Sequence, residues 1–288
     1  MQLLLTFIFC ILVRVSRAVD CGGGSIGSTI FVDEFGKPAP GRFQKIQDAI
    51  NSIPLNNNRW VKVHISPGVY YEKVNIPPGK PCVVLEGSGR HLTTIKYGDH
   101  GVTDISATFT SSPDNVIAKG ITFQNSFNRA EALAAYYNKM ARKNAIITWA
   151  LAARIYGDKS AFPGCGFLGF QDTLWDATGR HYFNNTYIEG GVDFIWGNGQ
   201  SVYENFRINV TSGLLLPKGN NGFITAQGRK SAYERTGFVF RRGIVSGTGQ
   251  AFLGRAYGPY SRVIFHETTM SNVVDPNGWF AWYYQGKE

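Results

Sequence analysis

Two aspartates carry the first chemical signal in this chain. Asp172 closes the segment Phe162-x-x-Cys165-x-Phe167-x-Gly169-x-x-Asp172, and Asp193 closes Phe183-x-x-Thr186-x-Ile188-x-Gly190-x-x-Asp193, every named position being displaced by 21 residues. If the two segments are successive turns of one repeating structure, the backbones of the two acids lie one strand spacing apart, roughly 4.8 Å. Like charges that close drive their pKa values apart, so one carboxyl keeps its proton while its neighbour is ionised. Such a pair suits hydrolysis: one group attacks or activates water, and the other protonates the departing oxygen.

Trp175, Phe194 and Trp196 flank the acids, and sugar rings stack on aromatic faces. Aromatic side chains also fill cores, a reading that weighs more for Phe194 than for Trp175; all three are candidates for substrate contact. Further on, Leu253-Gly254-Arg255-Ala256-Tyr257 offers a cation to hold an ionised carboxylate, and Gly278-Trp279-Phe280-Ala281-Trp282 offers more stacking surface. Arg255 follows Asp193 by 62 positions. It reaches the acids only if a stretch such as Thr211 to Gly222 is a loop and not a further turn of the repeat.

The repeat that would position these groups continues at Tyr203-x-x-Phe206-x-Ile208 with an offset of 20. Short runs such as Val61 to Ile65, Val83-Val84-Leu85 and Ile121-Thr122-Phe123 are bounded by Gly, Pro, Asn or Asp and read as strands. A helix-free period near twenty residues matches one coil of a parallel β-helix; a propeller blade is about twice as long, and the asparagine and leucine ladder of a leucine-rich solenoid is missing. Apolar residues at i, i+3 and i+7 in Phe43 to Ile50 predict one short N-terminal helix, which Pro54 ends. Ala-rich Arg129 to Lys143 reads as a polar helical excursion. The composition, with 34 glycines, 14% aromatic and 17% charged residues, leans the same way, towards strands and turns.

The unbroken apolar run Leu3 to Val13, followed by Ser16-Arg17-Ala18, predicts a cleaved secretory signal peptide over residues 1–18 and a single domain over 19–288. That run is too short to span a bilayer. The formal charge of +9 falls to +7 without Arg14 and Arg17, which leaves a surface that concentrates on polyanions such as acidic polysaccharides. No RNP motif, zinc-finger spacing or Lys/Arg run points to nucleic acid. Cys21, Cys82 and Cys165 remain after cleavage; one disulfide is open to them, with the pair undetermined, and no metal-binding spacing is present. Asn184-Asn185-Thr186 and Asn209-Val210-Thr211 read as glycosylation acceptors.

Four blocks, Gly68-Val69-Tyr70-Tyr71-Glu72, Gly169-Phe170-Gln171-Asp172-Thr173-Leu174, Asp193-Phe194-Ile195-Trp196-Gly197 and Leu253-Gly254-Arg255-Ala256-Tyr257, occur in an order that resembles the plant pectinesterases from about Phe31 to the end of the chain. The resemblance implies an all-β fold, a single-stranded right-handed parallel β-helix with a short N-terminal helix, and hydrolysis of galacturonate methyl esters without metal or cofactor. It implies Asp193 as nucleophile, Asp172 as acid and then base, Arg255 as the group that keeps Asp193 ionised, and Gln171 as oxyanion donor. Tyr257 and Trp279 would line the sugar groove and Thr103 would touch substrate. The expected partners are pectin (homogalacturonan) in the plant cell wall and a proteinaceous pectinesterase inhibitor, with no nucleic acid and no membrane, the enzyme acting as a monomer.

Some positions depart from the family pattern. Trp149-Ala150-Leu151-Ala152-Ala153 stands where a Gln-Ala-Val-Ala-Leu block is usual, so an indole replaces a second oxyanion amide; one such donor is worth about 100- to 1000-fold in turnover. Tyr257 replaces a tryptophan, and Thr186 a cysteine that many relatives pair with the position of Cys165. The chain also stops at Glu288, short of the family's C-terminal strand, and the inhibitor-like propeptide is absent. A pectin-binding protein with weakened catalysis is therefore the alternative to an active esterase, and a chain-cutting β-helix enzyme is a third expectation.

Overall fold

Alternation is the local cause of the fold. In the strand Trp60–Ile65, Val61, Val63 and Ile65 are buried while the residues between them are only partly so, the pattern of a strand with one face against a core. The computed structural model describes residues 20–129 and 146–286. The expected signal peptide and nearly all of the Ala-rich segment lie outside the described residues.

Short strands stack in parallel, three to a coil. Ser160–Pro163, Gly166–Leu168 and Leu174–Asp176 pair with Arg180–Asn184, Tyr187–Gly190 and Ile195–Gly197, in the register Phe162↔Phe183, Phe167↔Ile188 and Leu174↔Ile195. The offset is the 21 residues of the sequence repeat. In the next coil Phe183 pairs with Tyr203 and Ile188 with Ile208, the expected 20. The third ladder then jumps: Trp196 pairs with Ala226, because residues 211–221, which include the short helix Ser212–Leu215, leave the coil. The fold is a parallel β-helix whose interior is a continuous hydrophobic core.

Inside, equivalent side chains sit on one another. The rings of Phe162, Phe183, Tyr203, Phe240 and Phe265 form a column with successive centroids 4.9, 4.4, 4.4 and 4.5 Å apart and planes within 15°. This spacing is the strand spacing itself, so the column holds each coil at its register. At the corner beside it His181 donates from Nδ1 to Asp176 Oδ1 (2.6 Å) and from Nε2 to the Gly157 carbonyl (2.9 Å), and Tyr203 Oη donates to Asp176 Oδ2 (2.7 Å), all buried.

The N-terminal helix spans Ile46–Ser52 and closes the end of the coil stack with Ile46, Ala49 and Ile50. It begins later than the periodicity predicts: Phe43 belongs to the two-residue strand Arg42–Phe43. Its caps come from distant residues. The Glu72 carboxylate accepts from the Ile46 and Gln47 N–H groups (2.8 and 2.9 Å), and Lys80 Nζ donates to the Ile50 and Asn51 carbonyls (2.9 and 2.7 Å). A negative group at the N-terminus and a positive one at the C-terminus both oppose the helix dipole. Cys21 and Cys82 form the disulfide that the sequence left undetermined, while Cys165 is a buried thiol, pushed up to about 12 by burial.

Candidate active site

Asp172 and Asp193 sit at the corner that precedes the third ladder. Gln171 bridges Val192, the Asp172 N–H donates to the Val192 carbonyl (3.0 Å), and Trp175 pairs with Trp196 three residues after the acids. The acids are therefore one coil apart, about 4.8 Å along the axis. The glycine three residues before each acid makes this corner possible. A Cβ on Gly169 would lie 2.7 Å from Thr173 Oγ1, and one on Gly190 would lie 2.2 Å from Phe194 Cβ. The residue after each aspartate folds beneath the corner into that space, where Thr173 Oγ1 donates to the Glu189 carbonyl (3.0 Å).

Both carboxyls are nearly withdrawn from water, at 7% and 6% exposure, and both line a cleft of about 290 Å3. Arg255 donates from Nε to Asp193 Oδ1 (2.8 Å) and from Nη2 to Oδ2, a two-pronged grip on one acid only. Electrostatics separates the pair accordingly. Burial, and then the charge of Asp193, hold Asp172 well above the usual carboxylate range. Burial also raises Asp193, but the Arg255 guanidinium pulls it back down. Of the two, Asp172 is raised the more strongly, and only Asp193 has the Arg255 guanidinium on its oxygens.

Arg255 reaches Asp193 because the ladder skips the excursions between them. Trp196 pairs with Ala226, Thr225 pairs with Gly254, and Arg255 follows Gly254. Two strand steps thus replace 62 residues of chain.

Gln171, Thr103, Trp196 and Tyr257 join the acids and Arg255 in the cleft, as does Trp149. Trp175 stacks on Trp196 (centroids 4.4 Å apart, 14° between planes) and extends the aromatic surface one coil along the axis, outside the cleft lining. Trp279, 47% exposed, lines a neighbouring hollow of about 430 Å3 that shares Arg255 with the cleft. Phe194 corrects the sequence expectation: it is fully buried in the main core. It occupies the space that Gly190 leaves beneath the corner, so it supports Asp193 from below and presents no face to a substrate.

Trp282 also lines the cleft; in the sequence its signal is the aromatic run Gly278 to Trp282, which reads only as stacking surface. Among the described residues no group of three or more His, Cys, Asp and Glu side chains is gathered to hold a metal, and no helix is long and apolar enough to cross a membrane.

Comparison with known proteins follows the same line. The family model described as Pectinesterase matches residues 34–287. Probable pectinesterase 55 of Arabidopsis thaliana is 47% identical over 259 residues, covering 90% of this chain and 75% of that protein. The pectin methylesterase from carrot superposes with a TM-score of 0.77 at 28% identity, over 91% of this chain and 79% of that one. A pectin methylesterase in complex with a hexasaccharide shares the fold at a TM-score of 0.74 and 24% identity, over 89% and 81%. By the family match and the identity to its plant relative, the chain belongs to the pectinesterase family.

Proposed function

We propose that this chain is a secreted pectin methylesterase of the plant cell wall, with Asp193 as nucleophile and Asp172 as acid and base. The Asp193 carboxylate attacks the carbonyl carbon of a galacturonate methyl ester, and the Gln171 amide donates to the oxyanion that forms. As the tetrahedral species collapses, the C–O bond to the methoxy group breaks and Asp172 gives that oxygen its proton, releasing methanol. An anhydride to Asp193 remains. Asp172, now ionised, takes a proton from water as the water attacks the anhydride, which frees the galacturonate carboxylate and restores both acids.

The observation that carries this assignment is the inequality of the two acids: Arg255 grips both oxygens of Asp193 and donates no hydrogen bond to Asp172. An anion beside a protonated acid is what the first step needs. The net charge, +9 for the full chain and +7 without Arg14 and Arg17, favours an acidic polysaccharide, and Trp196, Tyr257, Thr103 and Trp175 supply polar and stacking surface along the groove. Pectin is the expected partner, met by a monomer, with a proteinaceous inhibitor as a further candidate.

The test is methanol release from highly methylated pectin by the purified protein, with Asp193→Asn as control. Release that disappears in the variant supports the assignment. Binding to polygalacturonate with no methanol release overturns it in favour of a pectin-binding homologue.

A further inference from the structure

We propose that Trp282 is a positioning residue for this reaction: its indole holds the Arg255 guanidinium in the orientation that grips both oxygens of Asp193. The inference rests on the assignment of Asp193 as nucleophile made above. A two-pronged contact needs one orientation of a long, flexible side chain, because the guanidinium donors form a rigid planar fork. Left in water, that side chain samples many rotamers and the fork is only sometimes aligned.

Two aromatic rings restrict it. The guanidinium carbon lies 4.7 Å from the centroid of Phe223 and 3.9 Å from that of Trp282. Stacking of this kind leaves the N–H edges of the guanidinium free for Asp193 while it occupies a face. Phe223 belongs to the ladder strand Gly222–Gln227. Trp282 arrives from the far side of the last ladder strand, Trp279–Phe280, in a single turn of 3-10 helix.

Trp282 adopts this place at a conformational cost. Its φ is +52°, in the left-handed region where an L-residue's Cβ crowds the following carbonyl oxygen. Such a conformation persists where the surroundings over-determine it. Here the surroundings are the Arg255 cation on one side, the Tyr283 ring at 4.3 Å and the Tyr257 ring at 5.7 Å. The indole also lines the cleft with both acids, so a simple sugar platform is the competing role. The two roles separate kinetically: a clamp on Arg255 acts on the attacking anion and so on kcat, whereas a platform acts on KM.

The experiment compares Trp282→Phe, Trp282→Leu and Trp282→Met in the full chain, following methanol release on methylated pectin and thermal melting. Leu and Met fill space without a π face; Phe keeps one. The expected result is a kcat about 5- to 30-fold lower for Leu and Met, the range that a partly desolvated cation–π contact supports. KM stays within about 2-fold, and Phe recovers most of the loss. Use of both Leu and Met covers the case in which one of them does not fold. Equal kcat for Phe, Leu and Met, or a rise in KM alone, overturns the inference while leaving the esterase assignment intact. A parent protein that releases no methanol fails the esterase assignment itself, and this inference with it.

Discussion

Asp172 and Asp193 share a backbone conformation as well as a cleft, with φ of +58° and +47° in the left-handed region. Among non-glycine residues Asp and Asn tolerate that region best. The repeated corner therefore selects a short acidic or amide side chain at the two places where the third ladder begins. It also makes asparagine the substitution that removes charge while keeping the turn.

Asp193→Asn should lower methanol release by about 1000-fold or more, as loss of a covalent nucleophile does. Asp172→Asn should cost about 100- to 10,000-fold, the range for a general acid. The two defects differ in kind. With an ester of a more acidic alcohol, whose leaving oxygen needs no proton, the Asp172 variant should recover and the Asp193 variant should not. Recovery of both, or of neither, contradicts the assigned roles.

The pH profile of kcat should be bell-shaped. Its acid limb reports protonation of Asp193, and its alkaline limb reports loss of the Asp172 proton, since burial and the Asp193 charge raise Asp172 the more strongly. The same shift affects stability. The folded state binds the Asp172 proton more tightly than the unfolded chain, whose value is near 3.9. Its favourable contribution is thus complete below about pH 4 and is lost as pH rises through the folded value. Asp172→Asn should melt about 2–4 °C higher than the parent at pH 7 and show no such gain near pH 3.5. Calorimetry at the two pH values decides it.

Trp149 lines the cleft beside Gln171 and Asp172, with its backbone carbonyl held by the Gly101 N–H (2.9 Å). An indole there has one N–H donor on a bulky ring, against the compact amide of a glutamine. Trp149→Gln should raise kcat by about 10-fold or more, given the usual weight of one oxyanion donor. Steady-state kinetics showing no change would mean that Gln171 and its surroundings already stabilise the oxyanion fully.

The caps of the N-terminal helix should be measurable as stability. Glu72→Ala removes the acceptor for two N–H groups of the helix and should cost about 1 to 2 kcal/mol in denaturant unfolding. Methanol release should be unchanged below the melting transition, because the helix lies at the end of the coil stack and no part of it lines the cleft.

His181 should make the fold sensitive to alkali. Both its ring nitrogens face oxygen acceptors, an arrangement that favours the cationic ring. Burial opposes that charge, but Asp176 and the Gly157 carbonyl outweigh it and raise the pKa. Its contribution is therefore complete below the unfolded value near 6.5 and is lost as pH rises through the higher folded value. His181→Ala should destabilise by about 3–5 kcal/mol at pH 6, since Asp176 is left as a buried charge short of a partner. A variant as stable as the parent at that pH would refute the charged pair.

Much of the arrangement was legible as a period. In a β-helix each coil packs on the next, so equivalent residues recur at the coil length. The offset of 21 that aligned Phe162 with Phe183 and Asp172 with Asp193 is the observed strand register. The first three rings of the aromatic column, Phe162, Phe183 and Tyr203, and the glycine three before each acid were visible for the same reason, whereas Phe240 and Phe265 lie beyond the legible repeat. Phe194 stayed open between groove and core, with the core the heavier reading, because an aromatic beside an acid reads alike in either place. The space left by Gly190 is what sends it inward.

By itself the sequence determined what neighbouring coils do to one another: the parallel strands, their register and the sharing of one corner by Asp172 and Asp193. Tertiary structure alone decided which distant groups complete that corner. Arg255 reaches Asp193, and Trp282 reaches Arg255, across excursions of irregular length, Cys21 finds Cys82, and Glu72 and Lys80 cap a helix more than twenty residues earlier. The physical reason is that a repeat records contacts made once per turn, whereas a contact across a loop depends on where the chain rejoins the coil, which no periodicity records.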